Sequence, residues 1–270
     1  MNLFYRDTGS GKPVVILHGL YGSSDNWLQI AGGLSGKFRV IAVDLRNHGA
    51  SPHSSEHTYS EMLTDLAWLF HEAGIEQAHI VGHSMGGKVA IAFAADYPEK
   101  VLSLTVVDIA PVNYLEKPAS ALQYDFHKNL LDTLLKLDIT AYKTRKEVDR
   151  ALKDDIKEAM VRQFVIKNLH RNKNSFEWKI NLKALRSNLD EIIGGVDAAE
   201  FDDRIPILQY PVLFIKGGLS GYIRESETDA IKRMYPESEF ATIDGASHLV
   251  HAEKPDEFLE VLKNHLSKIH

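Results

Sequence analysis

The sequence contains no cysteine among its 270 residues. That absence excludes disulfide bonds, zinc sites built on thiolates and a cysteine nucleophile. Covalent catalysis, if the protein performs it, has to use serine, threonine, aspartate, glutamate, lysine, histidine or tyrosine.

Basic charge is also scarce, because 31 lysines and arginines face 37 aspartates and glutamates and leave a formal net charge of −6. Such a chain offers no basic field for a phosphate backbone, so we expect no nucleic-acid partner. No apolar run approaches the ~18 residues that a membrane-spanning helix needs. The opening residues MNLFYRD carry neither a basic nor an apolar segment. We therefore expect no signal peptide and a cytoplasmic location.

Short apolar segments alternate with amphipathic ones early in the chain, as in βα units that build a mostly parallel sheet. We predict strands at residues 14–17, 40–43, 78–81 and 104–107, and again at 212–215 and 240–243. Helices are predicted at residues 59–73, 85–97 and 255–269, the last beginning at a proline, as helices often do.

The middle of the chain, residues 111–205, is predicted to be an all-helical cap inserted into a core formed by residues 1–110 and 206–270. Apolar residues recur there at helical spacing, and an insertion of this length between sheet strands usually serves as a lid or binding element. They form three runs: Leu122, Phe126, Leu130 and Leu134; Leu152, Ile156, Met160 and Phe164; Leu182, Leu185, Leu189 and Ile192.

The candidate nucleophile is Ser84, in the segment GHSMGG at residues 82–87. This is G-x-S-x-G between a predicted strand and a predicted helix, the context of a nucleophile elbow. One alternative is a glycine-rich turn with an incidental serine. Another is a phosphate-binding loop, since residues 82–88 also fit G-x-x-x-x-G-K, but Val89 stands where that loop needs Ser or Thr for Mg²⁺.

His248 is the predicted base among 13 histidines. It follows the last predicted strand and precedes the closing helix, as expected from the chain order serine, acid, histidine. His251 could suggest a metal pair, but no third ligand stands at metal-ligand spacing, so we predict no metal site and place His251 beside the site or on the surface.

The acid is predicted to be Asp108, which directly follows the strand after the one that delivers Ser84. A carboxylate at that strand end can reach the imidazole, fix its tautomer and stabilise the imidazolium. Glu225 is an alternative, and so is a site without an essential acid. Ser220 stands in the usual acid position after the next-to-last strand, and we expect it to hydrogen-bond near the site.

Backbone N–H groups of Leu20 and Met85 are the predicted oxyanion hole, because a turn after the first strand and the start of the helix after the nucleophile supply such donors. Residues 44–51 are expected to brace the loops around His18. The residues expected to line or surround the site are His18, Gly19, Tyr21, Trp27, His83, Ser220, Leu249 and Val250.

Taken together, His18-Gly19, the Arg-Asn-His-Gly segment at residues 46–49, the elbow at 82–87, Asp108-Ile109-Ala110-Pro111 and the segment HLVHAEKP at 248–255 resemble an α/β-hydrolase. In particular, these segments resemble the YbfF-type bacterial esterases and their mitochondrial relatives. It implies a cofactor-free carboxylesterase or thioesterase, some members acting on acyl-CoA. It also implies an acid at Asp108 and a serine near the histidine, as at Ser220.

The sequence therefore predicts an α/β-hydrolase fold and a serine esterase or thioesterase that uses Ser84, His248 and Asp108 on a small-molecule ester or thioester. A C–C bond hydrolase or lyase of the same fold is the enzymatic alternative. A catalytically inactive ligand-binding protein on this scaffold is the non-enzymatic one.

Overall fold

The computed structural model describes residues 1–117, 121–173 and 175–269. A central sheet has seven strands in the order β1-β3-β2-β4-β5-β8-β9, with β1 antiparallel to β3 and the other pairings parallel. Its strands are β1 Tyr5–Thr8, β2 Lys12–Leu17, β3 Phe38–Val43, β4 Ala78–His83, β5 Val101–Val107, β8 Val212–Gly217 and β9 Glu239–Ile243.

The predicted strands and the α/β-hydrolase fold are confirmed. Parallel strands covered on both faces consist of apolar runs, and all six residues of β4 are buried. The sequence prediction missed β1, because this edge strand has a polar sequence, YRDT, and three exposed residues.

Alternate side chains of each central strand enter two separate apolar clusters. On β2, Val15 belongs to one cluster and Val14 to the other. Helices cover both faces, and α3 is apolar nearly all round, so it is almost completely buried. The helices of the core are α1 Leu28–Leu34, α2 Tyr59–Glu72, α3 Met85–Asp96, α9 Glu225–Met234, α10 Val250–Glu253 and α11 Pro255–Leu266.

The insertion between β5 and β8 is not all helical, and that prediction is wrong in one place. An antiparallel hairpin lies between its third and fourth helices, formed by β6 Leu169–Asn172 and β7 Ser175–Trp178. Phe176 is buried between more exposed neighbours, which is the period of two of a strand rather than a helical repeat. The helices are α4 Ala121–Lys136, α5 Arg145–Leu152, α6 Ala159–Ile166, α7 Leu182–Ser187 and α8 Leu189–Gly194.

Two apolar runs that predicted single helices are divided in the structure. The run from Leu152 to Phe164 contains the end of α5 and the start of α6, with residues 153–158 between them, which are polar except for the buried Ile156. The run from Leu182 to Ile192 is divided at Asn188, which lies between α7 and α8. Apolar side chains of the insertion join the same cluster as α2 and α3. The boundary of a separate cap at residues 111–205 stays a prediction.

The sheet register brings the carboxyl ends of the central strands to one edge. His83 on β4 pairs with Val107 on β5, and Val107 pairs with Ile215 on β8. The residues that follow these strands, Ser84 and Asp108, therefore start from neighbouring positions. None of the helices in residues 1–117, 121–173 and 175–269 is both long enough and apolar enough to cross a membrane.

Candidate active site

Ser84 lies in a strained turn between β4 and α3. Its backbone has φ of 53° and ψ of −121°, a conformation that residues other than glycine rarely adopt. The turn brings α3 against β2 so closely that a Cβ on Gly86 would lie 2.5 Å from the carbonyl oxygen of Leu17. Position 86 of the motif therefore requires glycine, because any side chain would clash with the backbone of β2.

The three residues predicted as nucleophile, base and acid form one hydrogen-bonded chain. His248 Nε2 lies 3.0 Å from Ser84 Oγ, and His248 Nδ1 lies 2.8 Å from Asp108 Oδ2. Since a carboxylate only accepts hydrogen bonds, Nδ1 carries the proton, and Nε2 is free to accept the serine hydroxyl hydrogen. The structure thus brings together residues that are 140 and 164 positions apart.

Asp108 is completely buried, and every partner of its carboxylate is a hydrogen-bond donor. Oδ1 accepts the backbone N–H of Gly217 at 3.1 Å, and Oδ2 accepts the hydroxyl hydrogen of Ser220 in addition to His248. The alternative acid, Glu225, lies exposed at the start of α9 and forms no hydrogen bond with His248.

Hydrogen bonds within the loop after β2 fix the direction of the Leu20 N–H. The carbonyl oxygen of Gly19 accepts hydrogen bonds from the N–H of Gly22 at 2.9 Å and from His18 Nδ1 at 2.8 Å. The C=O and N–H of a peptide point in opposite directions, so the N–H of Leu20 points away from these partners. Met85 is the first residue of α3, and its N–H has no acceptor within the helix.

Two neutral histidines, His18 and His48, hold this loop through hydrogen bonds with backbone N–H groups. His18 Nε2 accepts the N–H of Leu45 at 3.0 Å, and His48 Nε2 accepts the N–H of Tyr21 at 3.2 Å. Burial lowers the pKa of His18 to about 4 and that of His48 to about 3. Both rings are therefore neutral near pH 7 and can accept through Nε2. Residues 44–51 brace the loops around His18 in this way.

Two aromatic rings lie against His248. His83 Nε2 donates a hydrogen bond to the carbonyl oxygen of His248 at 2.8 Å, and its ring centre lies 4.7 Å from that of His248. Tyr222 stacks on the imidazole with ring centres 4.0 Å apart and planes 22° apart. Tyr222 was not predicted at the site, because a lone tyrosine in a loop carries no motif.

A cavity of about 410 Å³ extends from Ser84 and His248 between the core and the insertion. Besides Ser84 and His248, five residues predicted near the site line it: Leu20, Tyr21, His83, Met85 and Leu249. Most of the remaining wall is apolar, and the insertion contributes Leu122, Phe126, Leu130, Met160, Val161, Phe164, Val165, Ile192 and Ile193.

Val250 and Trp27 do not line this cavity, which corrects their prediction as pocket residues. Val250 is the first residue of α10, and its side chain points away from that of Leu249. It is buried in the apolar cluster on the other face of the sheet. Trp27 is in the same cluster, where its ring stacks on His251 at 3.9 Å. His251 is thus buried rather than on the surface.

Lys88, the residue that suggested a phosphate-binding loop, is fully occupied by the protein itself. Four carbonyl oxygens surround the three N–H donors of its ammonium group: that of Val112 at 3.1 Å, those of Ile193 and Gly194 at 3.3 Å, and that of Gly195. Burial lowers its pKa to about 7. The side chain ties α3 to the end of the insertion and leaves no donor for a phosphate.

No three His, Asp or Glu side chains in the described part of the chain are grouped in a way that could hold a metal ion. The polar groups of the site are a hydroxyl, an imidazole, a buried carboxylate and the backbone N–H groups of Leu20 and Met85.

Comparison with known proteins identifies the family of the chain. Residues 12–255 match the family described as having the alpha/beta hydrolase fold. The chain belongs to the α/β-hydrolase family. It is 36% identical to the sn-1-specific diacylglycerol lipase ABHD11 of Danio rerio over 93% of this chain and 77% of that protein. It is 32% identical to esterase YbfF of Escherichia coli over 96% of this chain and 94% of that protein.

Among solved structures, a marine microorganism esterase superposes with a TM-score of 0.89 at 39% identity, covering 98% of this chain and 99% of that one. These α/β-hydrolases are named as esterases or lipases, and the chain is a carboxylic ester hydrolase of the same family.

Proposed function

We propose that the protein hydrolyses carboxylic esters, and thioesters of the same acyl groups, through an acyl-enzyme on Ser84. The observation that supports this proposal is the hydrogen-bonded chain from Ser84 Oγ to His248 at 3.0 Å and from His248 to Asp108 at 2.8 Å, beside an apolar cavity.

In the first half-reaction, His248 Nε2 takes the hydroxyl proton as Ser84 Oγ attacks the carbonyl carbon. The carbonyl oxygen becomes an oxyanion and accepts hydrogen bonds from the N–H groups of Leu20 and Met85. The intermediate collapses when its bond to the alcohol or thiol breaks, and His248 gives its proton to that leaving group. Ser84 then carries the acyl group as an ester.

In the second half-reaction, water gives a proton to His248 and attacks the acyl-Ser84 carbonyl. The carboxylic acid leaves, and the proton returns from His248 to Ser84 Oγ. Asp108 stays ionised throughout, holds the Nδ1–H tautomer and stabilises the imidazolium that forms twice in each cycle.

The cavity supports an apolar acyl group of short to medium length as the substrate. Its volume of about 410 Å³ lies in the range of small-molecule sites, roughly 300–1,000 Å³. Side chains such as Leu130, Phe164 and Val165 offer no hydrogen bond, so they favour hydrocarbon over a polar acid. Acyl-CoA is included in the proposal because the attacked carbonyl is the same in an ester and a thioester.

The test is labelling with a serine-directed alkyl phosphonate, followed by peptide mass spectrometry. The proposal expects stoichiometric modification of Ser84, with loss of p-nitrophenyl ester hydrolysis in step with the label. Ser247 is a matched control, because it also lines the cavity but donates its hydroxyl to Glu253. Ser247→Ala should still be labelled and Ser84→Ala should not.

Substrate choice follows from rates on p-nitrophenyl esters from acetate to dodecanoate and on the acyl-CoA of the best chain length. A maximum at a short or medium chain supports the proposed acyl pocket. Labelling of Ser84 without turnover of any ester or thioester would instead favour a C–C hydrolase that uses the same residues.

A further inference from the structure

We infer that Tyr222 is a positioning residue for catalysis, whose ring face stabilises the imidazolium form of His248. The inference rests on the proposed function, since it concerns the proton that His248 takes from Ser84 and from water. It is drawn from the stacked contact of the two rings, with centres 4.0 Å apart and planes 22° apart.

The backbone N–H and the carbonyl group of Tyr222 both form hydrogen bonds, which fix the position of the ring. Its N–H donates to Ser220 Oγ at 3.3 Å, and Ser220 in turn donates to Asp108. Its carbonyl oxygen accepts the hydroxyl of Tyr114 at 2.7 Å, and the Tyr114 ring packs edge-on against the Tyr222 ring. These hydrogen bonds link Tyr222 through Ser220 to Asp108, the carboxylate that orients His248. They hold the Tyr222 ring in its stacked position on the imidazole.

The electrostatics of such a stack depend on the charge of the imidazole. The face of an aromatic ring carries partial negative charge, so it attracts a cation and interacts much less with a neutral ring. His248 is neutral before each proton transfer and cationic after it. The attraction to Tyr222 thus grows as the transition state forms, and an interaction of that kind raises kcat rather than substrate affinity.

Tyr222 stays a neutral phenol while it does this. Burial and the nearby charge of Asp108 raise the pKa of Tyr222 to about 12. The ring therefore acts through its face and not as a phenolate.

The other titratable neighbours of His248 do not duplicate this contribution. His83 from β4, His127 from α4 and His251 from α10 are each held neutral near pH 7, because burial lowers the pKa of all three rings. Asp108 is the carboxylate that hydrogen-bonds His248, and it lies in the plane of the ring rather than over its face.

A fluorinated series at position 222 tests the inference without changing the shape of the site. Tyr222→Phe is compared with the same position carrying phenylalanine with one, two or three ring fluorines, which withdraw charge from the face. We expect kcat to fall stepwise with each fluorine, by about five- to tenfold in all, with KM changed less than about twofold. Tyr222→Phe itself should stay within about threefold of the wild type.

The acidic limb of the kcat/KM profile is the second readout. We expect Tyr222→Leu to move this limb to lower pH by about half a unit to one unit, because the leucine offers no face to the cation. The NMR titration midpoint of His248 should move the same way, and that measurement needs no turnover. A merely structural role for the ring would lower stability without moving either midpoint.

Fluorination of phenylalanine at position 240 is the matched control and should leave kcat unchanged, because Phe240 lies outside the cavity, where it stacks on Phe214 and holds Lys232 over its ring face. A flat fluorine series at position 222 in an enzyme that hydrolyses esters, or an acidic limb and NMR midpoint that do not move, would overturn the inference alone. Failure of the phosphonate to label Ser84 would overturn the proposed function, and the catalytic part of the inference with it.

Discussion

Ser220 donates its hydroxyl hydrogen to Asp108 Oδ2, the same oxygen that His248 Nδ1 contacts at 2.8 Å. Ser220 follows β8, where many proteins of this fold carry the acid, while Asp108 follows the neighbouring strand β5. The serine therefore supports a carboxylate that comes from a different strand.

The first prediction concerns the role of that carboxylate. Asp108→Asn should lower kcat by about 10⁴-fold with little change in KM, because an amide that donates to His248 Nδ1 favours the wrong tautomer. Steady-state kinetics on a p-nitrophenyl ester measure this. Glu225→Gln is the control and should keep wild-type kcat. A loss of less than about tenfold in Asp108→Asn would assign the acid elsewhere.

His18 is predicted to act on the oxyanion hole through the peptide of Gly19 and Leu20. His18→Ala removes one of two hydrogen bonds to Gly19 O and the acceptor for Leu45 N–H. We expect kcat to fall about tenfold, less than the roughly 10²- to 10³-fold loss of a whole oxyanion donor, since Gly22 still holds the carbonyl.

Affinity for a boronic acid that mimics the tetrahedral intermediate should fall in parallel with kcat in His18→Ala, whereas the KM of the ester should change less. Unchanged boronate affinity would show that His18 does not affect the oxyanion hole. His71→Ala, on the exposed part of α2, provides the background value.

Two glycine-to-alanine substitutions should have opposite effects on stability. In Gly86→Ala the new methyl group would lie 2.5 Å from backbone oxygens of Leu17 and His18, and we expect a loss of about 3 kcal/mol or more in the free energy of unfolding. In Gly32→Ala, within α1, nothing lies within 4 Å of the new methyl group. Helix propensity then stabilises by up to about 1 kcal/mol.

Urea unfolding of both variants measures this difference. If Gly86→Ala were as stable as the wild type, the close approach of α3 to β2 would be wrong.

Much of the site follows from short local patterns. The G-x-S-x-G turn at residues 82–87, Asp108 after β5 and His248 after β9 are each identified by position relative to a strand, and strands are visible as apolar runs. Tyr222 and Val250 show the limit, because a ring in a loop and the first residue of a helix face directions that only tertiary packing determines. The hairpin at Leu169–Asn172 and Ser175–Trp178 was missed because each strand has only four residues.

Acid should destabilise the fold through its buried histidines. Burial lowers the pKa of His251 from 6.5 to about 3. Below pH 6.5 the unfolded chain binds a proton at this residue while the folded chain does not, so stability falls as the pH falls. The slope for each such histidine is up to about 1.4 kcal/mol per pH unit.

His251→Phe isolates this effect, because phenylalanine can keep the stack on Trp27 and Nδ1 of His251 has no hydrogen-bond partner among the described residues. Urea unfolding between about pH 7 and 5 should give a shallower pH dependence for His251→Phe than for the wild type. The exposed His71→Phe should match the wild-type slope. Equal slopes for His251→Phe and the wild type would contradict the prediction.

The most direct test of the central claim is a stopped-flow measurement with a p-nitrophenyl ester in excess over enzyme, comparing the wild type with Ser84→Ala. If the acyl-enzyme hydrolyses more slowly than it forms, the wild type should release a burst of p-nitrophenol equal to the enzyme concentration, with the acyl group found on Ser84 by mass spectrometry. Ser84→Ala should show no burst and a rate lower by about 10⁶-fold. If Ser84→Ala hydrolysed the ester as fast as the wild type does, the account would be contradicted.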